Sequence, residues 1–204
     1  VAKFIPSFAS SQVWRSGTSV EPVLEPQTEP MQMWHLFTHT AGLTYGFMYS
    51  HPVDELYRKA GMEWGFPGDL DLAGVCDLLA AQPLLFQPGS EWNYSTSIDV
   101  LGRVVEVISG QRLGDFLAER IFAPLAMTDT AFVVPESEAA RVAALYYAQP
   151  ETLRATRNSS ADRRAVIEPK AHGGGGGLFS TMSDYVRFAE MLRRGGEFAG
   201  HRLL

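Results

Sequence analysis

Cysteine is almost missing from this 204-residue sequence: Cys76 stands alone, so no internal disulfide framework exists. Its neighbours Leu72, Val75, Leu78 and Leu79 are apolar and helically spaced, which suits a buried small hydrophobe and not a reactive thiol. No run of about 18 apolar residues occurs, so no membrane span is expected. No signal peptide is recognisable, and a cytoplasmic location is the expectation. Lysine is scarce as well: Lys3, Lys59 and Lys170 are the only ones. Leu56 and Ile167 stand three residues before the last two and nothing precedes the first, so the sequence holds no Ser-x-x-Lys nucleophile. No serine has glycine two residues away on both sides, which excludes the α/β-hydrolase elbow. Lysine and arginine together number 17 against 23 acidic residues, a net charge of −6. Beyond the pairs Arg163-Arg164 and Arg193-Arg194 there is no basic stripe, so nucleic acid is not an expected partner.

What is present is a globular composition, 46% hydrophobic and 20% charged, sufficient for a packed core. Ser16 to Pro30 contains Gly17, Pro22, Pro26 and Pro30 and reads as a loop. Met31 to Phe37 reads as a short helix stopped near Gly42, and Asp54 to Ala60 as a weak one. Asp71 to Ala81 is clearer, with Leu72, Val75, Leu78 and Leu79 at helical spacing and Asp69 or Asp71 as cap. Ser97 to Ser109 carries the strongest pattern. Ile98, Leu101, Val104, Val105 and Ile108 form its expected buried stripe, and Gly110 occupies the C-cap position. Leu113, Phe116, Leu117 and Ile121 mark another helix, ended by Pro124. Pro135 to Lys170 is poorly patterned, with Arg154 to Arg164 expected as surface loop. After Gly173 to Gly177 and a strand-like Leu178-Phe179, Thr181 and Asp184 open a last helix with Tyr185, Phe188, Met191 and Leu192 expected inward.

Three features suggest chemistry. His35 and His39 stand four apart, a spacing that can place two imidazoles on one metal, but Leu36 occupies the position where a zinc protease needs glutamate. Packing and helix C-terminal hydrogen bonding are the expected uses, and no metal or cofactor is expected. The five consecutive glycines lack the following Lys-Ser/Thr of a phosphate loop, and a close backbone approach beside a strand accounts for them better. Tyr94, in Trp92-Asn93-Tyr94-Ser95, follows the Pro88-Gly89 turn and opens the strongest helix. A phenol presented there by a rigid element, near backbone N–H groups and a positive dipole end, suits proton transfer. A packing tyrosine at a helix start is the alternative.

Five blocks change that balance. Trp34-His35-Leu36-Phe37-Thr38-His39-Thr40-Ala41-Gly42-Leu43 resembles the "HLLTHTSGL" block of the serine β-lactamase and penicillin-binding-protein superfamily. Phe86-Gln87-Pro88-Gly89-Ser90-Glu91-Trp92-Asn93-Tyr94-Ser95 is similar to its "F-x-P-G-x-x-x-x-Y-S" block. Leu101-Gly102 with Ile108-Ser109-Gly110 resembles "LG-x-x-x-E-x-x-SG". Ile121 to Thr130 resembles "IFxPLGMxDT", and Gly174 to Asp184 resembles "GGGGLxSTxxD". Esterases with a β-lactamase fold, of the class C-like kind, are the most similar in pattern.

The resemblance implies an α+β, β-lactamase/transpeptidase-like fold. This chain would cover mainly its helical region plus small parts of the sheet domain. Residues 1–42 and 171–204 would contribute to the α/β part and 43–170 to a helical or lid region. It also implies a Ser-x-x-Lys nucleophile, a tyrosine sharing protons with it, and a Lys/His-x-Gly strand near the oxyanion hole. Only the tyrosine has a match, Tyr94. The other two blocks would lie before Val1 and beyond Leu204, so the isolated chain is expected to be inactive, and to be marginal, oligomeric or completed by another chain.

Thr96 stands where lactam-cleaving members usually carry Asn, which favours esters over lactams. Thr96, Trp92, Tyr45 and Phe47 are the expected substrate contacts, Tyr45 and Phe47 belonging to an aromatic stretch that suggests a pocket wall. The leading function is a carboxylesterase acting on small esters through an acyl-serine. The alternatives are a β-lactamase or D-Ala-D-Ala peptidase of the same fold, and a non-catalytic binding or accessory protein.

Overall fold

In the computed structural model, which describes residues 1–149 and 154–204, a hairpin over residues 12–26 takes in much of the stretch from Ser16 to Pro30 that was expected as a loop. Strand β1 (Gln12–Gly17) pairs antiparallel with β2 (Pro22–Pro26), with a bulge between Trp14 and Ser16. The prolines do not break the hairpin because they stand at the two ends of β2, where a missing N–H costs least. Val13 also meets Leu84 in a parallel bridge, with the Trp14 N–H donating to the Leu84 carbonyl at 2.8 Å.

Contacts divide the chain into two units, Val1–Leu113 with Lys170–Gly176, and Gly114–Pro169 with Gly177–Leu204. This division by contacts cuts the chain elsewhere than the expected partition into α/β and helical regions at residues 42 and 170.

The first unit holds helices α1 (Met33–Phe37), α2 (Pro52–Lys59), α3 (Leu72–Ala80) and α4 (Ser97–Ser109). Local contacts set several of their ends. Pro52 pre-sets the first turn of α2, and Asp54 Oδ2 returns to the His51 N–H at 2.9 Å. Asp71 Oδ1 caps α3 by accepting the Gly74 N–H at 2.9 Å. Helix α4 ends on Gly110, whose φ of 71° is the left-handed C-cap the sequence indicates. Leu72, Val75, Cys76 and Leu79 of α3 are buried together with Leu36, Leu43, Val53, Tyr57, Leu84 and Val100 in one core.

The buried face of α4 differs in phase from the expected stripe. Ser97, Asp99, Val100, Gly102 and Val104 are buried, whereas Ile108 is exposed. Val100 and Val104 enter the core, and the glycine segment lies against Gly102. A Cβ on Gly174 would collide with the Ile98 carbonyl and stand 3.3 Å from the Gly102 nitrogen, so backbone meets backbone there. The expected close approach is therefore to a helix and not to a strand.

In the second unit, α5 (Leu113–Leu117), whose first residue closes the first unit, continues as a π-helical turn over Ala118–Phe122. Phe122, Leu125 and Met127 pack against Met191 of α7 (Met182–Arg193), with Phe188 partly covered. The Thr181 hydroxyl caps α7 by accepting the Asp184 N–H at 3.3 Å. Tyr185 and Leu192, expected inward, are exposed within this unit. Phe179 exchanges two backbone hydrogen bonds with Ala131, at 2.8 and 3.1 Å, as its strand-like character suggests. Part of the expected surface loop is regular: β4 (Arg154–Arg157) pairs with β3 (Tyr146–Gln149), and α6 (Ser159–Ala165) follows behind an Asn158 cap. Residues 150–153 of the poorly patterned stretch lie outside the described residues. A last hairpin joins β5 (Glu197–Phe198) and β6 (His201–Arg202). Among the described residues no helix is long and apolar enough to cross a membrane.

Candidate active site

Tyr94 lies on the segment that leads into α4, and that segment is bound to the stretch after α1. The Gly89 N–H donates to the Thr40 carbonyl at 2.7 Å, and the Leu85 N–H to the Gly42 carbonyl at 2.7 Å. Farther along, the Asn93 N–H donates to the His39 carbonyl at 2.9 Å, and the Asn93 side-chain amide to the Leu43 carbonyl at 3.0 Å. The two blocks that carry the tyrosine and the His-Thr-Ala-Gly sequence are therefore adjacent in space. The Tyr94 ring emerges from this framework nearly half exposed, at 45%.

Three of the four expected substrate contacts join it in one aromatic row. Trp64 stacks on Phe47 with ring centres 5.5 Å apart, and Phe47 stacks on Tyr45 at 4.7 Å. Tyr45 lies 5.2 Å from Tyr94, and on the other side His39 lies 5.1 Å from Tyr94 and 6.4 Å from Trp92. Thr96 does not join them. It is 2% exposed, and its hydroxyl is enclosed beside that of Tyr57, close enough to act on the Tyr57 phenol yet without hydrogen-bond geometry to a described residue. A direct contact from Thr96 to a substrate is not part of this arrangement.

The two phenols differ in surroundings. Tyr45 is held well above the ordinary tyrosine range, first by burial, then by the Asp99 carboxylate and the neighbouring Tyr94 phenol. A phenol so placed keeps its proton and acts as a donor. Asp99 accepts the Gly175 N–H at 2.9 Å, and its own acidity is weakened by burial. A Cβ on Gly175 would stand 3.0 Å from the Asp99 carboxylate and 3.2 Å from the Tyr45 hydroxyl, so a glycine lets both groups close over it.

His39 does not sit on α1 with His35. It follows the helix end with a φ of 56°, in the left-handed region that histidine enters more readily than most side chains. His35 Nδ1 accepts the Gln32 N–H at 2.9 Å, closing a cap at the start of α1 instead of at its end. His39 Nδ1 faces Ser95 Oγ at 3.2 Å, and Ser95 Oγ meets Ser97 Oγ at 2.8 Å. Ser95 is 1% exposed, which denies its hydroxyl to a substrate. Among the described residues no group of three or more His, Cys, Asp or Glu side chains could hold a metal. Cys76 is buried, and burial pushes its thiol far above the ordinary range, so it is inert. Sequence reasoning missed His39, Ser95 and Asp99 as companions of Tyr94. Ser95 and His39 were each visible as members of separate blocks, but nothing in the sequence joined His39 to Tyr94.

The family model described as Beta-lactamase matches residues 1–203. The chain belongs to the β-lactamase family. Esterase EstB of Burkholderia gladioli is 36% identical over 188 residues, a match covering 84% of this chain and 47% of EstB. Among solved structures, a simvastatin synthase mutant from Aspergillus terreus superposes with a TM-score of 0.75 at 30% identity, covering 96% of this chain and 46% of that one. EstCE1, described as a hydrolase with promiscuous acyltransferase activity, superposes with a TM-score of 0.72 at 27% identity, covering 98% and 53%. The chain thus has the β-lactamase/transpeptidase-like α+β fold of a family that includes esterases and acyltransferases, and it spans about half the length of these relatives.

Proposed function

We propose that this β-lactamase-family chain carries the tyrosine arm of a serine carboxylesterase for small esters, with Tyr94 as the group that exchanges protons during acyl transfer. The observation that supports this best is the pairing of an exposed phenol, Tyr94, with a half-buried one, Tyr45, kept protonated by burial and Asp99. The two rings lie side by side, and Tyr94 is the one a substrate can reach; with its own proton passed to the lysine of such a mechanism, its oxygen would accept the proton of a serine hydroxyl and return it to a leaving alcohol. The serine and lysine of such a mechanism are not among these 204 residues, so the chain by itself is proposed to lack turnover. The row from Tyr45 through Phe47 to Trp64 is the proposed wall for the acyl group, and Trp92 the contact on the far side of Tyr94.

EstCE1 favours a second reading, in which an alcohol replaces water and the acyl group is transferred to it. The deciding assay compares the intact gene product on short p-nitrophenyl esters and on nitrocefin, with and without an added alcohol. A much higher kcat/KM on the esters is expected. Equal or higher kcat/KM on nitrocefin would overturn the ester preference, and an ester product formed with the added alcohol would establish the transferase reading.

A further inference from the structure

His39 touches every residue of the tyrosine segment. Its ring meets the rings of Trp92 and Tyr94, its carbonyl accepts the Asn93 N–H, and its Nδ1 faces the Ser95 hydroxyl. The Ser95 hydroxyl continues to Ser97, the first residue of α4, so the histidine is tied through two buried hydroxyls to the start of the core helix. The backbone at His39 is left-handed, at a φ of 56°, where glycine or asparagine would be less strained.

We infer that His39 is the positioning residue for Tyr94, holding the phenol in its working direction through the Nδ1–Ser95–Ser97 chain and ring contact, without transferring a proton itself. The inference rests on the reading of Tyr94 as the proton-exchanging group. Partial burial lowers the basicity of His39, which favours the neutral ring. With its proton on Nε2, neutral His39 presents Nδ1 as acceptor for the Ser95 hydroxyl, and the Ser97 hydroxyl donates to Ser95 in turn. Ser95 is too enclosed to serve as a nucleophile, so the His-Ser contact is an anchor and not a catalytic dyad.

Asparagine and glutamine separate this role from others. Asparagine tolerates the left-handed backbone and places its amide oxygen near the position of Nδ1, whereas glutamine reaches toward the position of Nε2. In the intact gene product, with a p-nitrophenyl ester as substrate, His39→Ala, His39→Gln and Ser95→Ala are each expected to lower kcat roughly 10-fold or more, the scale of a misaligned reacting group, with KM little changed. His39→Asn should recover most of the loss. The double variant His39→Ala/Ser95→Ala should be no worse than His39→Ala, and His39→Ala should cost nothing further in a Tyr94→Phe background. Should His39→Ala fail to fold, Ser95→Ala and the Asn–Gln pair carry the test. Equal loss in His39→Asn and His39→Gln would overturn positioning through Nδ1, as would full kcat in His39→Gln or Ser95→Ala. Near-native kcat in Tyr94→Phe alone would instead overturn the reading of Tyr94 on which the inference stands.

Discussion

At the scale of single residues, the proposed site turns on two tyrosines with different surroundings. Tyr45, half-buried near the Asp99 carboxylate, retains its proton, and Tyr94, nearly half exposed, is the phenol a reacting group can reach. Tyr94→Phe removes one hydroxyl and no packing surface. It should lower kcat of the intact gene product by roughly 100-fold or more, the scale of a lost acid–base group, and leave the melting temperature close to that of the parent. Steady-state kinetics with a parallel melt checks this, and a variant retaining most of its kcat removes Tyr94 from the mechanism. Thr96 shows why motif distance misleads at this scale. It lies two residues from the tyrosine, yet the turn into α4 carries it inward beside Tyr57, while Ser95 takes the hydrogen bond to His39.

At the scale of elements, α4 and the glycine segment form the part of the first unit that leaves least room for change. Gly174 lies over the Ile98 carbonyl and the Gly102 nitrogen, and backbone atoms of a helix cannot move aside as a side-chain end can. Gly174→Ala should therefore destabilise by about 1–3 kcal/mol, as overpacking does elsewhere. It should also loosen the Asp99–Gly175 hydrogen bond that supports Tyr45. Gly176→Ala is the matched control, since a Cβ there meets nothing within 4 Å, and it should change stability by no more than about 0.5 kcal/mol. Urea unfolding midpoints of the two variants decide the point: equal midpoints would mean that the glycine segment does not press on α4. Helix α7 shows the complementary situation, with a capped start and Met191 buried but Met182, Tyr185 and Val186 exposed within its own unit.

At the scale of the whole molecule, buried titratable groups bound the pH range of stability from both sides. His35, His39 and His51 each have their basicity lowered by burial from the ordinary value of 6.5. A base with a lowered folded value contributes stability that is present above 6.5 and lost as pH falls through the folded value. Asp99 acts in the other direction. Burial raises it from 3.8, so its favourable protonated form is complete below 3.8 and is lost as pH rises through the raised value. Asp99→Asn keeps an oxygen for the Gly175 N–H and removes the titration. Relative to the parent, this variant should gain stability as pH rises above 3.8 and show no such gain at lower pH. Unfolding midpoints across mildly acid and neutral pH measure the difference, and a difference independent of pH would show that Asp99 does not titrate with folding.

Much of the local structure was legible because its causes are local. Asp71, Gly110 and Thr181 cap or stop their helices as their chemistry and neighbours dictate, and Cys76 lies in the core as its apolar surroundings suggest. Tyr94 was legible as a candidate because its block resembles that of a known family, and the family model covers the same residues. The hairpin of β1 and β2 was not legible, since prolines at strand ends and prolines in loops look alike until the strands pair. Nor was the phase of α4, because its buried face includes Gly102, against which a glycine segment some seventy residues later in the chain packs, alongside Val100 and Val104 in the core. The sequence by itself determined the family, the caps and the presence of a phenol before the longest helix. Only the tertiary structure decided which groups stand around that phenol. His39, Tyr45, Ser95 and Asp99 meet there through long-range packing and hydrogen bonds, which no local pattern encodes.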